Sequence, residues 1–275
     1  MNLTQEILQA IVLGLVQGIT EFLPISSTAH LLVVARAFGW TAVVGQRWFA
    51  AAIQFGSVLA ILWYFRADLR QVWVGAWSAF RAKAWHQEEW KLLVGLAIGV
   101  LPTLMGGWLI TEFFPENAFS GNLLIAITSI VMAGLLGLAE RTGQRKRSFD
   151  SLTIRDGLWI GLGQMVALLP GASRSGSTLT AGLFLGLKRQ TAAKFSFLLG
   201  LPTLTIATLH ESQAVLIRPD TAVSLLVGIA SAFVFSYGTI AWLLHYLQHH
   251  TNWIFIWYRL GLGIFLLLGM TMELF

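Results

Sequence analysis

The sequence predicts an all-α integral membrane protein with six transmembrane helices and two re-entrant helical hairpins, arranged as an inverted repeat. Three observations carry that expectation. Of 275 residues, 56% are hydrophobic and 11% charged, whereas soluble domains carry about 25% charged residues. The mean hydropathy is +0.71, and apolar runs of about 20 residues, the length a helix needs to cross a hydrocarbon core, recur along the chain. Two further apolar regions are broken near their middles by proline and clustered hydroxyls, at "LPISST" and "LPGASRSGST".

In chain order, the first broken region is 6–38. Proline costs a helix interior roughly 3 kcal/mol, and Ser and Thr favour helix starts. The region therefore reads as two short helices with a turn between them. Non-helical backbone at membrane depth survives only where it is buried in protein or lines a wet cavity, so a re-entrant hairpin is expected. Two closely packed full spans are the alternative. Spans follow near 46–65, 90–112 and 121–140. The second hairpin is expected at 157–187, followed by spans near 192–210, 221–247 and 252–273.

The halves resemble each other. "GLVQGITEFLPISST" (14–28) aligns with "GLGQMVALLPGASRS" (161–175) once one residue is dropped, which pairs Gly14 with Gly161, Gln17 with Gln164, Pro24 with Pro170 and Ser27 with Ser173. A hairpin returns to its starting side and three spans do not, so the halves run in opposite orientations. The expected organisation is one membrane domain, 1–275, with repeats 1–145 and 150–275.

Charge sets the direction. Arg66, Arg70, Arg81 and Lys83 fall in the gap 66–89, and Arg141, Arg145, Lys146, Arg147 and Arg155 in the gap 141–156; the gap 111–120 holds Glu112 and Glu116 without Lys or Arg. The positive-inside rule makes the first two gaps cytoplasmic and the third external. Both termini are then outside, and the second hairpin enters from the cytoplasm beside Lys188, Arg189 and Lys194. The net charge of +5 sits in short gaps between apolar runs, which fits membrane orientation and not nucleic acid. Cysteine is absent, which excludes a disulfide framework and a thiolate metal site. The start "MNLTQEILQA" lacks a basic n-region, so no cleavable signal peptide is expected.

Chemistry concentrates at the two breaks. Gln17 and Glu21 are four apart and share a helix face. An ionisable group inside a spanning region is by default functional; a structural Glu paired with an Arg is the alternative. Ser26, Ser27 and Thr28 follow Pro24, and capping uses only one hydroxyl. Ser27 and His30 are three apart, so His30 is a candidate base toward Ser27 or water, or else a packing residue. Arg174 is the only charge between Asp156 and Lys188, and it sits amid Ser173, Ser175, Ser177 and Thr178. Gly171 and Gly176 allow close backbone approach to a ligand. A helix starting there offers free N–H groups to an anion, and the guanidinium adds a bidentate grip for phosphate. Arg174 is equally able to neutralise Glu21 across the repeat interface, and the two roles are compatible. Gln54 in "AAIQFGS" is a further buried amide. If the hairpin tips meet, the assembly suits phosphoryl transfer, in which positioning and charge stabilisation dominate. The substrate would be a lipid-linked phosphate whose tail stays in the bilayer.

"QGITEFLPISSTAH" and "LPGASRSGST" resemble the paired signature motifs of the bacterial undecaprenyl-diphosphate phosphatases, the bacitracin-resistance family; the similarity also takes in "IQFGS" and "KFSFLLGLP". The resemblance implies hydrolysis of undecaprenyl diphosphate to undecaprenyl phosphate and inorganic phosphate, which recycles the carrier for peptidoglycan and other envelope polymers. It implies a divalent cation, Mg2+ or Ca2+, with Glu21 and Gln17 as its candidate ligands. It also implies a multi-pass protein of the bacterial inner membrane whose site opens to the periplasm. Carried over, Glu21 holds metal or orients the reacting groups, Ser27 is the nucleophile, and His30 is the acid/base or activates water directly. Arg174 grips the diphosphate with Ser173 and Thr178, and Gln17, Ser26, Thr28, Ser175 and Gln54 complete the substrate-binding set. Gln17 stands at the motif's first acidic position, where the resemblance admits Glu or Gln. It supplies no charge, which weakens any mechanism that needs two carboxylates from this helix. The implied partners are the lipid diphosphate and bilayer lipids, with a homodimer left open. A carrier or flippase for a polyprenyl phosphate or other anion is the rival class; a structural subunit would leave the polar cluster unexplained.

Overall fold

A computed structural model describes residues 3–40, 47–115, 118–119, 121–211 and 221–272 of the chain. Among them the only β feature is one bridge between Arg147 and Leu187. The helices are α1 (Leu3–Thr20), α2 (Ser27–Ala37), α3 (Arg47–Tyr64), α4 (Arg66–Ala82), α5 (Glu88–Phe113) and α6 (Asn122–Thr142). They continue with α7 (Ile154–Met165), α8 (Arg174–Phe184), α9 (Arg189–Glu211), α10 (Ala222–His249) and α11 (Trp253–Thr271). This is an all-α, multi-pass membrane architecture.

Both broken regions fold as paired helices with a turn between them, and all six expected spans are helical. Two details differ from the expectation. Among the described residues α1, α5, α6, α9, α10 and α11 are long and apolar enough to cross a bilayer, so α1, an arm of the first expected hairpin, has the length of a span. The expected span at 46–65 is α3, which forms with α4 an apolar pair bent by 65°. The basic gap 66–89 accordingly holds a helix. Ala76 and Ala79 of α4 are buried while Trp73, Trp77 and Phe80 are exposed, the one-sided pattern of a helix lying on the bundle. The short arms α2, α7 and α8 have 11, 12 and 11 residues, well below the roughly 20 that a crossing needs.

Bilayer tails are as apolar as leucine, so helices associate through close packing of small residues. Here α1 lies on α10, and α7 on α5. A Cβ on Gly14 would stand 2.5 Å from the Gly228 carbonyl oxygen, and one on Gly18 would stand 2.8 Å from that of Ala232. Gly157 and Gly161 of α7 meet the backbone of Gly95 and Gly99 of α5 with no room for a side chain. Beneath the turns lies a core that includes Phe22, Phe65, Phe195 and Phe197, with Phe22 edge-on to Phe197 at 5.1 Å between centroids. The outer surface carries exposed Trp108, Leu226, Val234 and Trp257, as a lipid-facing exterior requires.

Ion pairs tie one end of the bundle together. Buried Glu140 accepts from Arg189 Nε at 2.8 Å and from Asn252 Nδ2 at 2.8 Å. Arg147 reaches Asp156 at 2.6 Å, and Lys194 reaches Asp68 at 2.5 Å. Several of the basic residues that set the expected orientation are thus also structural.

Candidate active site

The two turns meet, and Glu21 is the junction. It follows the end of α1 in the segment 21–25 and is 5% exposed. Its Oε2 accepts from Gln17 Nε2 at 3.0 Å, from Ser27 Oγ at 3.0 Å and from Gln54 Nε2 at 3.5 Å. Its Oε1 takes Arg174 Nη2 at 3.0 Å. Arg174 is the first residue of α8, so this pair joins the first turn to the second. The guanidinium also donates to the Ser196 carbonyl at 3.2 Å and lies over the Phe22 ring at 5.9 Å. Gly200 makes this possible, because a Cβ there would collide with the guanidinium. The Arg174 Nε is buried with no hydrogen-bond partner.

The turns share an uncommon backbone. Ser26 (φ 73°) caps α2 and Ser173 (φ 66°) caps α8, a left-handed region that costs a non-glycine residue about 1–3 kcal/mol. Their hydroxyls accept from the amides of Ala29, at 3.5 Å, and Gly176, at 3.2 Å. In cap position and positive φ it is Ser26, and not Ser27, that matches Ser173. This pairing has the same offset as Gln17 with Gln164, whereas Pro24 with Pro170 does not. Two helix N-termini, α2 and α8, thereby flank the Glu21–Arg174 pair and add partial positive charge.

Residues 10–265 match the family described as Bacitracin resistance protein BacA. The chain belongs to that family. It is 52% identical over 256 residues to the "Undecaprenyl-diphosphatase" of Thermosynechococcus vestitus, covering 93% of each chain. The protein of the same name from Trichodesmium erythraeum is 49% identical over 96% of this chain and 86% of its own. A third, from a Synechococcus strain, is 48% identical over 96% and 94%.

In this member of the bacitracin resistance family the structure brings together Gln17, Glu21, Ser27, Gln54 and Arg174 from four helices and a turn. The proposed neutralisation of Glu21 by Arg174 is present. Other expected residues are placed differently. His30 does not meet Ser27. Its Nδ1 lies 2.7 Å from the Ser26 carbonyl oxygen and its Nε2 2.7 Å from the Tyr258 hydroxyl. Ser27 turns back to Glu21 because the left-handed cap at Ser26 redirects the chain. Thr178 and Ser175 are buried with their hydroxyls spent inside the protein. Thr178 donates to the Arg174 carbonyl at 2.8 Å, and Ser175 to the Leu23 carbonyl at 2.9 Å. Ser173 Oγ lies 3.3 Å from Ser175 Oγ.

Sequence reasoning missed Arg259 on α11, which is 0% exposed. Its Nη2 donates to the carbonyls of Gly171, at 2.6 Å, and Ala172, at 2.5 Å, while its Nη1 reaches the Pro24 carbonyl at 3.4 Å. One guanidinium thus clasps both turns. The signal was available: a lone charge in the apolar stretch "IFIWYRLGLGIF" falls under the rule that singled out Glu21.

Proposed function

We infer that this chain hydrolyses undecaprenyl diphosphate to undecaprenyl phosphate and inorganic phosphate. The observation that carries the reading is the shared carboxylate, with the Ser27 hydroxyl on one oxygen of Glu21 and the Arg174 guanidinium on the other. A hydroxyl already donating to a carboxylate has its proton acceptor in place. Ser27 Oγ attacks the terminal phosphorus and its proton passes to Glu21. The bond to the bridging oxygen breaks, and the lipid monophosphate leaves with that proton. Water, deprotonated by Glu21, then attacks the phosphoserine, and inorganic phosphate leaves as Ser27 regains its proton. Arg174 exchanges Glu21 for phosphate oxygens, and its unpartnered buried Nε fits an incoming anion. The N-termini of α2 and α8 add to the stabilisation of charge on the transferring group. His30 is the proposed second acid/base, through which the protons that Glu21 handles exchange with solvent.

Among the described residues no three His, Asp or Glu side chains form a ready-made cation cage. The donors present fit Mg2+ or Ca2+ when phosphate oxygens complete the shell, as Mg2+ sites commonly do. Glu21 would supply the one carboxylate and Gln17 an amide oxygen, and the cation would neutralise charge on the diphosphate. The relatives' names support the substrate. The lipid tail stays in the bilayer, and by the charge pattern the site opens to the periplasmic side of the inner membrane.

The test is phosphate release from undecaprenyl diphosphate by purified protein in detergent, with and without chelator, beside Ser27→Ala and Arg174→Ala. Chelator-sensitive release that both variants lack, while folded, is expected. Undiminished release by Ser27→Ala would transfer the attack to water. No release by metal-supplied wild type would overturn the hydrolase in favour of an anion carrier.

A further inference from the structure

Tyr258 belongs to none of the motifs above, yet it holds His30, to which the proposed function assigns an acid/base role. Its hydroxyl is 2.7 Å from His30 Nε2. The two rings are nearly parallel, at 8° with centroids 5.6 Å apart. On the other side of the imidazole, Nδ1 stands 2.7 Å from the Ser26 carbonyl oxygen. A carbonyl only accepts, so Nδ1 carries the proton. In the neutral ring Nε2 is then the acceptor, and the phenol O–H is its donor. The bond partners and the stacked ring fix both the tautomer and the plane of His30.

The neighbouring residue fixes Tyr258 in turn. Arg259 donates to carbonyls of both turns, so α11 cannot slide or rotate at this level without breaking that clasp. Tyr258 is 49% exposed. Removing only its hydroxyl therefore opens no buried cavity, and a phenylalanine there reports on the bond and not on packing.

We propose that Tyr258 is a positioning residue for His30, keeping the imidazole as the Nδ1–H tautomer with Nε2 on the Tyr258 hydroxyl, through which any proton taken up by the ring must pass. The proposal rests on the reading of His30 as an acid/base in lipid diphosphate hydrolysis. It implies that α11, the last described helix, takes part in the site through two consecutive residues. Arg259 holds the turns, and Tyr258 sets the imidazole.

The experiment is a double-variant cycle on the full-length protein in detergent, with Tyr258→Phe, His30→Gln and their combination. It reads kcat and KM for phosphate release and the thermal midpoint, beside 15N spectra of labelled histidine with His30 assigned by its loss in His30→Gln. Tyr258→Phe is expected to lower kcat between about two- and tenfold, the range set by the net strength of one hydrogen bond. KM and thermal midpoint should be unchanged. In the His30→Gln background the same change is expected to cost nothing further, because a residue acting through another has no effect once that other is gone. The His30 Nε2 resonance should move in Tyr258→Phe. A loss of equal size in both backgrounds, or an unmoved resonance with unchanged kcat, would overturn the assignment. If the wild type releases no phosphate, the hydrolase reading is what fails, and the resonance alone decides whether Tyr258 sets His30.

Discussion

Glu21 is a carboxylate in an apolar bundle, and it is tolerated there because donors from Gln17, Ser27, Gln54 and Arg174 surround it. Taking two charges out of water is costly, and removing one partner of a buried pair leaves the other uncompensated, at about 3–5 kcal/mol. Arg174→Ala is therefore expected to lower the thermal midpoint in detergent as well as activity. Glu21→Gln combined with Arg174→Ala should recover most of that stability while remaining inactive. An additive loss in the double variant would show that the pair is not coupled. Arg259→Met removes the guanidinium from three carbonyls and leaves those of Gly171 and Ala172 only long bonds of 3.4 Å from Ser129 and Ser177, at roughly 1–3 kcal/mol for each group left unsatisfied. A destabilised protein with loosened turns is expected, read as faster proteolysis at the junction; an unchanged cleavage rate would contradict the clasp. At this scale the sequence was partly legible. Glu21 and Arg174 stood out because each is a lone charge at the break of an apolar region. Ser27 was assigned to His30 by helical spacing, and both do lie on the first turn of α2. The Ser27 hydroxyl nevertheless bonds Glu21, across the left-handed Ser26 cap, and the imidazole bonds the Ser26 carbonyl and Tyr258. Nothing in a Ser–Ser–Thr string announces a positive φ.

Small residues set how closely the elements approach. The α5–α7 crossing has glycine against glycine, with Gly157 and Gly161 on the backbone of Gly95 and Gly99. Overpacking such a contact costs about 1–3 kcal/mol. Gly161→Val is accordingly expected to lower the thermal midpoint and to shift α7, whose far end carries the second turn. A variant with unchanged midpoint would mean that the crossing is looser than the structure shows. The start of α7 is held by a capping box between Thr153 and Asp156 and by Arg147. Burial pushes the Asp156 carboxyl up, but hydrogen bonds from Arg147 and Thr153 outweigh it and leave the group below its ordinary value. A depressed folded pKa stabilises above the unfolded value, near 4, and that contribution is lost as pH falls through the folded pKa. Thermal midpoints from pH 7 to pH 3 should therefore fall more for wild type than for Asp156→Asn; parallel curves would rule the linkage out. The helices themselves were legible from apolar runs and proline breaks. The α4 helix was not, because Arg66, Arg70, Arg81 and Lys83 read as a basic gap. Its buried face is only alanines and partly covered side chains, a weak periodic signal.

For the molecule as a whole, two interrupted helix pairs bring their tips together inside a bundle whose exterior suits lipid. A site of that kind gives a diphosphate headgroup polar walls while its chain remains among the tails. Each turn holds only part of the chemistry: Glu21 and Ser27 in one, Arg174 in the other, with Arg259 binding both. The broken regions and their polar composition foretold that meeting, whereas the α11 clasp depends on three-dimensional register that no single stretch displays. The central claim is that Glu21 accepts a proton in hydrolysis of a lipid diphosphate. The most direct measurement is the rate of phosphate release from undecaprenyl diphosphate by wild type and by Glu21→Gln, each shown to be folded by its thermal transition. The expected result is a loss of about 10²–10⁴-fold in kcat, the usual contribution of a positioned base. A folded Glu21→Gln that releases phosphate at the wild-type rate would contradict it.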